Sequence, residues 1–177
     1  MKLREHVVLG GAAAAGLTPV LGAQDSLVFL GATVLIDVDH YWDYLVRNDF
    51  RNWSWPKTFA FHRALFPKIH DADFLALNFF HTVEAFVIVL VAGSWLGSSA
   101  ALAAFLGMAY HLALDLAFLT WHRATFKRAL SYVEYHLRRR RLLRRGLDPD
   151  RVYREALAEI GVSPLPRPQP AEVDAPS

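Results

Sequence analysis

Four apolar stretches, each close to the length of a membrane-crossing helix, restrict the fold of this chain more than any other feature. They cover about residues 7–23, 26–46, 74–96 and 99–121. A helix needs about 20 predominantly apolar residues to cross the hydrocarbon layer. Hydrophobic residues make up 54% of the sequence and charged residues only 20%. The pattern predicts an all-α, polytopic membrane bundle of about four transmembrane helices, followed by a cytoplasmic amphipathic helix.

The positions of lysine and arginine predict how the bundle is oriented. Lys2 and Arg4 precede the first apolar stretch, and five basic residues lie between the second and the third. All the others follow the fourth stretch, beginning at Arg123, and the two remaining connections carry none. Basic residues concentrate in cytoplasmic loops. Both termini and the loop at 47–73 are therefore expected on the cytoplasmic side of a multi-pass protein.

The N-terminus also fits a second interpretation. Lys2 and Arg4, an apolar run and the small residues near Ala23 are typical of a secretory signal peptide. Cleavage would leave three spans and would place the basic loop at 47–73 on the wrong side of the membrane. A retained first helix accounts for more of the sequence.

Three segments flank the membrane domain, which we assign to residues 1–121. The loop at 47–73 mixes aromatic and basic residues, and Pro56 can open a short helix that ends before Pro67. It is either a surface or re-entrant helix over the cytoplasmic mouth of the bundle or an ordinary interfacial anchor. Basic amphipathic helices are expected over 122–162, and a proline-rich disordered tail over 163–177.

Within 122–162, one long helix is predicted from Arg123 to Arg145, with an apolar stripe at helical spacing. The arginines from Arg138 to Arg145 suit anionic lipid headgroups, and a role in binding nucleic acid is not expected after a membrane span. Asp148 and Pro149 then predict the start of a short helix that ends near Ile160.

Seven ionisable residues interrupt the apolar stretches. They are Asp37, Asp39, His40, His81, Glu84, His111 and Asp115. Such groups are costly in lipid and occur mainly where they face the protein interior and have a partner. With a rise of 1.5 Å per residue, most of them lie about 9–15 Å from the cytoplasmic ends of their segments. Three separate segments therefore place their ionisable groups in one layer.

Carboxylates and imidazoles gathered in one layer predict a site for divalent metal, most simply zinc, with room for two ions. The chain has no cysteine, so any ligands must be His, carboxylate or water. His81 with Glu84, and His111 with Asp115, have spacings that share one helix face. Asp37 and His40 form a third pair. Asp39 points elsewhere, and it is either a ligand or a partner that holds a ligating imidazole.

Two further histidines can complete this site, and two carboxylates can act in catalysis. His6 lies at the mouth of the first helix and His62 in the aromatic loop. Glu84 and Asp39 are the candidate catalytic carboxylates, with Glu84 as general base. A pair of metal ions suits hydrolysis of a phosphate ester. The same groups could instead form a structural hydrogen-bond network, or carry metal ions or protons across the membrane.

Three short motifs stand out in the segments Leu35-Ile36-Asp37-Val38-Asp39-His40, Phe61-His62-Arg63 and Tyr110-His111-Leu112-Ala113-Leu114-Asp115. They resemble motifs of the bacterial membrane-bound metal-dependent hydrolases, the LexA-regulated inner-membrane type. The chain has Ile36 where that family has proline and Ala64 where it has glycine. The HxxxD and HxxE spacings are also similar to those of zinc-dependent phospholipase C.

This resemblance implies a metal-dependent hydrolase in the bacterial inner (plasma) membrane and an N-terminal histidine, such as His6, at its site. It leaves the substrate open. Since the polar layer lies toward the cytoplasmic ends of the spans, we expect a small-molecule or membrane-lipid substrate, such as a phospholipid or another amphiphilic phosphate ester, to enter from the cytoplasmic leaflet.

Overall fold

The computed structural model describes residues 3–162 and is mostly helical (78%). Helices in this part of the chain are α1 (Leu3–Leu35), α2 (Val38–Arg47), α3 (Trp55–Leu65), α4 (Val83–Leu96), α5 (Ser99–Trp121), α6 (Tyr132–Arg144) and α7 (Arg151–Glu159). Short 3-10 turns cover Phe66–His70, Phe79–His81 and Thr125–Lys127. Two two-residue strands, β1 (Ala76–Leu77) and β2 (Arg128–Ala129), pair in parallel. The all-α prediction is confirmed.

The long helix α1 folds back on itself at Gly22. This glycine has φ 78° and ψ 165°, a conformation outside the helical region that favours glycine. A methyl group on Gly10 would lie 2.9 Å from Cγ2 of Thr33, whereas a straight helix would separate these two residues by about 35 Å. Residues 3–21 and 23–35 therefore run antiparallel as a helical hairpin.

Helices α4 and α5 form a second hairpin, closed at Gly97. Gly97 adopts the left-handed conformation, with φ 58°, and the amide of Ser98 donates to the carbonyl of Gly93 at 3.0 Å. The Ser98 side chain then accepts from the amide of Ala101 and caps α5. The turns at Gly22 and Gly97 line one shared depression, so both hairpins turn at the same end of the bundle.

Small residues let the two hairpins approach closely. Gly107 of α5 lies against the backbone carbonyl of Phe29, so that a methyl group at Gly107 would overlap it. The Thr33 hydroxyl donates to the carbonyls of Phe29, at 2.8 Å, and Gly107, at 3.1 Å. Close backbone contact at glycine, with a hydroxyl bonded across the interface, is typical of helix packing in membranes.

Two stretches of residues 3–162 are long and apolar enough to cross a membrane, Leu3–Arg47 and Ser99–Trp121. Val83–Leu96 is apolar but shorter, with 14 residues. The predicted third span was wrong in its first part, because the chain from residue 74 to 82 is not an α-helix. Thr82 caps α4, its hydroxyl accepting from the amide of Ala85 at 3.3 Å, and this fixes the start of α4 at Val83.

The segments after α2 and after α5 fold together as a cap on one end of the bundle. Its core joins the end of α2, helix α3 and helix α7, with Tyr44, Phe61, Val152 and Leu157 fully or almost fully buried. The Tyr153 hydroxyl donates to the carbonyl of Leu75 at 2.8 Å. Residues 122–162 therefore share a core with the preceding chain and do not form a separate helical unit.

Two helix predictions for the cap had different outcomes. Helix α3 runs from Trp55 to Leu65 with a proline in its first turn, so the predicted helix between Pro56 and Pro67 is confirmed. The long helix predicted from Arg123 to Arg145 was wrong, because α6 begins only at Tyr132. A 3-10 turn and β2 precede it, and the Ser131 side chain caps it by accepting from the amide of Val133. The predicted disordered tail at 163–177 lies outside the described residues.

Replacing Gly107 with alanine is expected to lower the free energy of unfolding, since the added methyl group overlaps the Phe29 carbonyl. Overpacking of this kind costs about 1–3 kcal/mol. Gly11→Ala is the matched control, because no atom lies within 4 Å of a methyl group there. Unfolding titrations of the two purified variants in detergent measure the difference. Equal stability of both variants would contradict the packing of α1 on α5.

Candidate metal centre

Five ionisable side chains meet where the two hairpins join the cap. We call them the buried cluster, and they are His6, Asp37, His81, His111 and Asp115. They form two overlapping groups of possible metal ligands, one of His6, Asp37 and His111 and the other of His81, His111 and Asp115. The donor atoms of each group lie within 4.8 Å of one another. His111 belongs to both groups and lies at the centre of the cluster.

The fold explains why residues so far apart in sequence converge. The α1 hairpin turns at Gly22 and brings His6, near its start, level with Asp37 beyond its end. Asp37 lies at the interruption between α1 and α2, where the helix breaks for two residues. His111 and Asp115 are one turn apart on α5. His81 ends the 3-10 turn that precedes α4.

The distances within the buried cluster are close to those of a metal site. Oδ1 of Asp37 lies 3.3 Å from Nε2 of His111 and 4.0 Å from Nε2 of His81. Oδ2 of Asp115 lies 3.7 Å and 3.8 Å from the same two nitrogens. In a tetrahedral zinc site with ligands about 2.0–2.1 Å from the ion, neighbouring ligand atoms are roughly 3.3–3.4 Å apart. No group of possible ligands in the described part of the chain contains both Asp37 and Asp115, so a small contraction would give zinc-like spacing to His81, His111 and Asp115 or to His6, Asp37 and His111.

In His81 and His111, the outer nitrogen Nδ1 already has a hydrogen-bond partner. This contact orients the inner nitrogen, Nε2, toward the buried cluster. Nδ1 of His111 donates to the backbone carbonyl of Thr33 at 2.7 Å. This carbonyl is available because α1 ends at Leu35, and the last carbonyls of a helix have no partner within it. Nδ1 of His81 lies 2.8 Å from Oδ2 of Asp39. With Nδ1 as donor, Nε2 of the neutral ring carries a lone pair.

Both inward-facing nitrogens lack a hydrogen-bond partner. Nε2 of His81 and Nε2 of His111 are buried and make no hydrogen bond, and the same holds for Nδ1 of His6. Leaving a buried polar atom unpaired costs about 1–3 kcal/mol. Two lone pairs that face two carboxylates in a buried space have the arrangement of metal ligands. Asp39 has the position of a group that orients such a ligand from outside.

His6 stacks on the central imidazole and extends the cluster. The rings of His6 and His111 are 3.8 Å apart and inclined by 15°. Nε2 of His6 lies 3.3 Å from Oδ1 of Asp115. That oxygen is not the one that faces His81 and His111, so Asp115 can use its two oxygens toward two different positions.

Arg128 reaches the cluster, although sequence reasoning did not select it. Its Nη1 donates to Oδ2 of Asp115 at 2.8 Å. The side chain is held there because β2 pairs with β1, with Arg128 opposite Ala76. The sequence signal for Arg128 was only its position as a basic residue shortly after the fourth apolar stretch. The helix predicted over this segment gave no reason to place Arg128 at the metal site.

The candidate residues outside the two ligand groups are Asp39, His40, His62 and Glu84. Nε2 of His40 lies 3.3 Å from Oδ1 of Asp37, and Nδ1 of His40 is 3.1 Å from the Asn78 amide nitrogen. His62 donates through Nε2 to the carbonyl of His40 at 2.9 Å. Burial lowers the pKa of His62 to about 4. His62 therefore supports the turn that carries His40 and is neutral at neutral pH.

Glu84 does not lie with the ligand groups. Its Oε1 accepts from the Ser131 hydroxyl at 2.7 Å and from the Tyr132 amide at 3.0 Å. It therefore anchors the first turn of α6, where a carboxylate is favourable. The shared helix face expected for His81 and Glu84 does not exist, because His81 precedes the start of α4. Glu84 is accordingly removed from the ligands and from the candidate bases.

Comparison with known proteins yields no relative: no family model matches the chain, and no match is found among curated proteins or among solved structures.

Asp39→Asn is expected to weaken metal binding by about 10–100-fold, the usual effect of removing a group that orients a ligating imidazole. His111→Ala is expected to weaken it further, because it removes the ligand common to both groups. Competition between the purified protein and a chromophoric chelator for zinc measures both affinities.

Asp43→Asn is the matched control for this measurement. Asp43 lies on the same helix as Asp39 but pairs with Arg47, at 3.2 Å. Unchanged affinity in both Asp39→Asn and His111→Ala would show that zinc binds elsewhere or not at all.

Proposed function

We propose that this protein is a membrane-embedded, metal-dependent hydrolase that cleaves an amphiphilic phosphate ester at the face of the membrane next to the cap. The observation that carries the proposal is the pair of buried, unpartnered Nε2 atoms on His81 and His111, which face Asp37 and Asp115. The resemblance to bacterial membrane-bound metal-dependent hydrolases belongs to the same proposal.

A metal site accounts for the unpartnered nitrogens better than a structural network does. In a hydrogen-bond network that merely fixes helix packing, buried nitrogens are expected to have partners. Here the outer nitrogens are partnered and the inner ones are not, as ligation requires. Without cysteine, the ligands are imidazole and carboxylate, a set that suits zinc.

The donors form two overlapping groups that each offer three ligand atoms. An ion would be held by His81, His111 and Asp115 or by His6, Asp37 and His111. A bound divalent ion lowers the pKa of water and polarises the oxygens of a phosphate ester. Hydrolysis adds that water at phosphorus and breaks the P–O ester bond, releasing the alcohol and phosphate.

Arg128 points to phosphate as the group that is recognised. Its guanidinium is 10% exposed and contacts Asp115 at the edge of the cluster. Arginine is always charged, and its fork of donors matches the oxygens of a phosphate. A phosphate placed between the metal and Arg128 would take over donors that the guanidinium now directs to Asp115. The phosphate would thus be held by the metal ion on one side and by Arg128 on the other.

Membrane embedding is supported by how little of the apolar helices the protein itself covers. Only 22% of the apolar window in Leu3–Arg47 and 33% of that in Ser99–Trp121 are buried. The core helix of a soluble protein would be mostly buried. Trp95 and Trp121 are 87% and 85% exposed at opposite ends of the α4–α5 hairpin. Exposed tryptophans at both ends of apolar helices are typical of the two membrane interfaces.

Transport of metal ions or protons is the main alternative, and the bundle interior does not favour it. Between the buried cluster and the turns at Gly22 and Gly97, the buried positions are mainly apolar or glycine, among them Ala14, Phe29, Gly93 and Ala103, and Ser26 near the turn is a buried hydroxyl. A carrier needs polar groups that continue toward the second face. The cluster and Arg128 lie instead at the end next to the cap.

The proposed topology has four spans, with both hairpin turns on the outer face and the cap in the cytoplasm. The natural chain has no cysteine, so single cysteines can report their side of the membrane. Gln24→Cys and Ser99→Cys are expected to react with an impermeant maleimide in intact cells. Arg51→Cys, in the cap, is expected to react only after permeabilisation. Reaction of Gln24→Cys and Ser99→Cys from opposite sides would refute the paired hairpins.

Hydrolysis is tested with the purified protein in nanodiscs, loaded with zinc and given a panel of lipid phosphates and phosphodiesters. His111→Ala is expected to abolish turnover together with metal content. Arg128→Ala is expected to raise KM about tenfold or more while zinc remains bound, because a charge-assisted phosphate contact contributes about 1.5–3 kcal/mol.

Arg51→Ala and His70→Ala are the matched controls, since both side chains are exposed and lie outside the site. They are expected to behave as the parent protein does. A protein that retains zinc but turns over no member of the panel would overturn the hydrolase and favour the carrier.

A further inference from the structure

An apolar groove of about 320 Å³ runs along the outside of the bundle between α4 and α5. Its α4 side has the spacing of one helix face. The residues that form the two walls are Val83, Phe86, Val87 and Leu90 on α4 and Phe105 and Leu112 on α5. Val83, Val87 and Leu90 are 56%, 52% and 41% exposed, so the groove opens toward the surroundings of the bundle.

One end of this groove lies at the buried cluster. His81 lines the groove, and its Nε2 faces Asp37 and Asp115. Leu130 lines the same end, two residues beyond Arg128, and its carbonyl accepts from the amide of Val83 at 2.8 Å. The groove therefore ends beside the site at which a phosphate would be held.

We propose that the groove holds the hydrocarbon chain of a membrane lipid whose phosphate lies at the buried cluster and Arg128. This assignment of a substrate class depends on the function proposed above. A phosphate at that position carries its lipid tail outward, and the groove offers an apolar path from His81 to the lipid-facing surface. The substrate is thus a lipid phosphate ester bound by its chain as well as by its headgroup.

The walls of the groove allow a bound substrate chain to be distinguished from general contact with surrounding lipid. Val87 and Ile88 are neighbours on α4 and are both exposed, at 52% and 64%, yet only Val87 lines the groove. An annular lipid would contact both residues equally. A bound substrate chain would contact Val87 and leave Ile88 free.

Photo-crosslinking tests this difference without requiring turnover. The full-length protein in phosphatidylcholine nanodiscs receives a trace of a non-hydrolysable phosphonate analogue of phosphatidic acid with a diazirine in its acyl chain. Labelled peptides are then identified by mass spectrometry. Labels are expected on the groove faces of α4 and α5. Val87→Trp, which fills the groove, is expected to reduce labelling about tenfold, equivalent to about 1.4 kcal/mol, and Ile88→Trp to leave it unchanged.

Two results would overturn the groove assignment. They are labels spread evenly over exposed apolar positions and equal labelling of Val87→Trp and Ile88→Trp. Failure of the hydrolase is a separate outcome. Groove labelling that depends on Val87, in a protein without turnover, would retain the chain site and reject the reaction.

Discussion

Two carboxylates held in an apolar bundle beside three imidazoles are the constraint on which the rest of this structure depends. Removing Asp115 from water costs several kcal/mol unless partners compensate it. Arg128 and His6 provide contacts at 2.8 Å and 3.3 Å. Asp37 has Nε2 of His40 at 3.3 Å. The folding of the hairpins and the docking of the cap both serve to bring these partners to the two acids.

The geometry of the hairpins determines which atoms point inward. The turn at Gly22 returns the chain beside itself, so His6 and Asp37 meet at the end far from the turn. The break after Leu35 leaves the carbonyl of Thr33 available to the His111 ring. A continuous helix would engage that carbonyl and would carry Asp37 past the cluster. The interruption in the helix is thus part of the site.

The cap closes the same end and supplies the positive charge. β1 and β2 pair over only two residues each, but this pairing sets Arg128 beside Asp115. Glu84 holds the first turn of α6 on the neighbouring side. If the site holds metal, the cap provides the group that recognises an anion and the bundle provides the ligands. The groove between α4 and α5 would then connect both to the lipid phase.

Much of the architecture follows from local patterns. The apolar stretches, the connections between them and the proline that opens α3 can be predicted because helix period, turn residues and caps act over a few neighbours. The turn at Gly22 was not predicted, since that residue lies inside the predicted first span. The depths of Asp37 and His111 follow from a constant rise per residue, whereas His81 lies on a 3-10 turn outside the predicted helix. The start of α4 was missed, although Thr82 is an N-cap residue, since an apolar run by itself does not show where a helix begins.

The sequence by itself determined that the chain is helical and apolar and that acids and imidazoles interrupt its apolar stretches, because these properties depend on residue type and spacing alone. Only the tertiary structure decided which of these groups meet. Glu84 bonds to Ser131 before α6, and His62 donates to the carbonyl of His40. Arg128 lies on β2, which pairs with β1. Such choices depend on contacts between residues distant in sequence, which spacing along one segment does not encode.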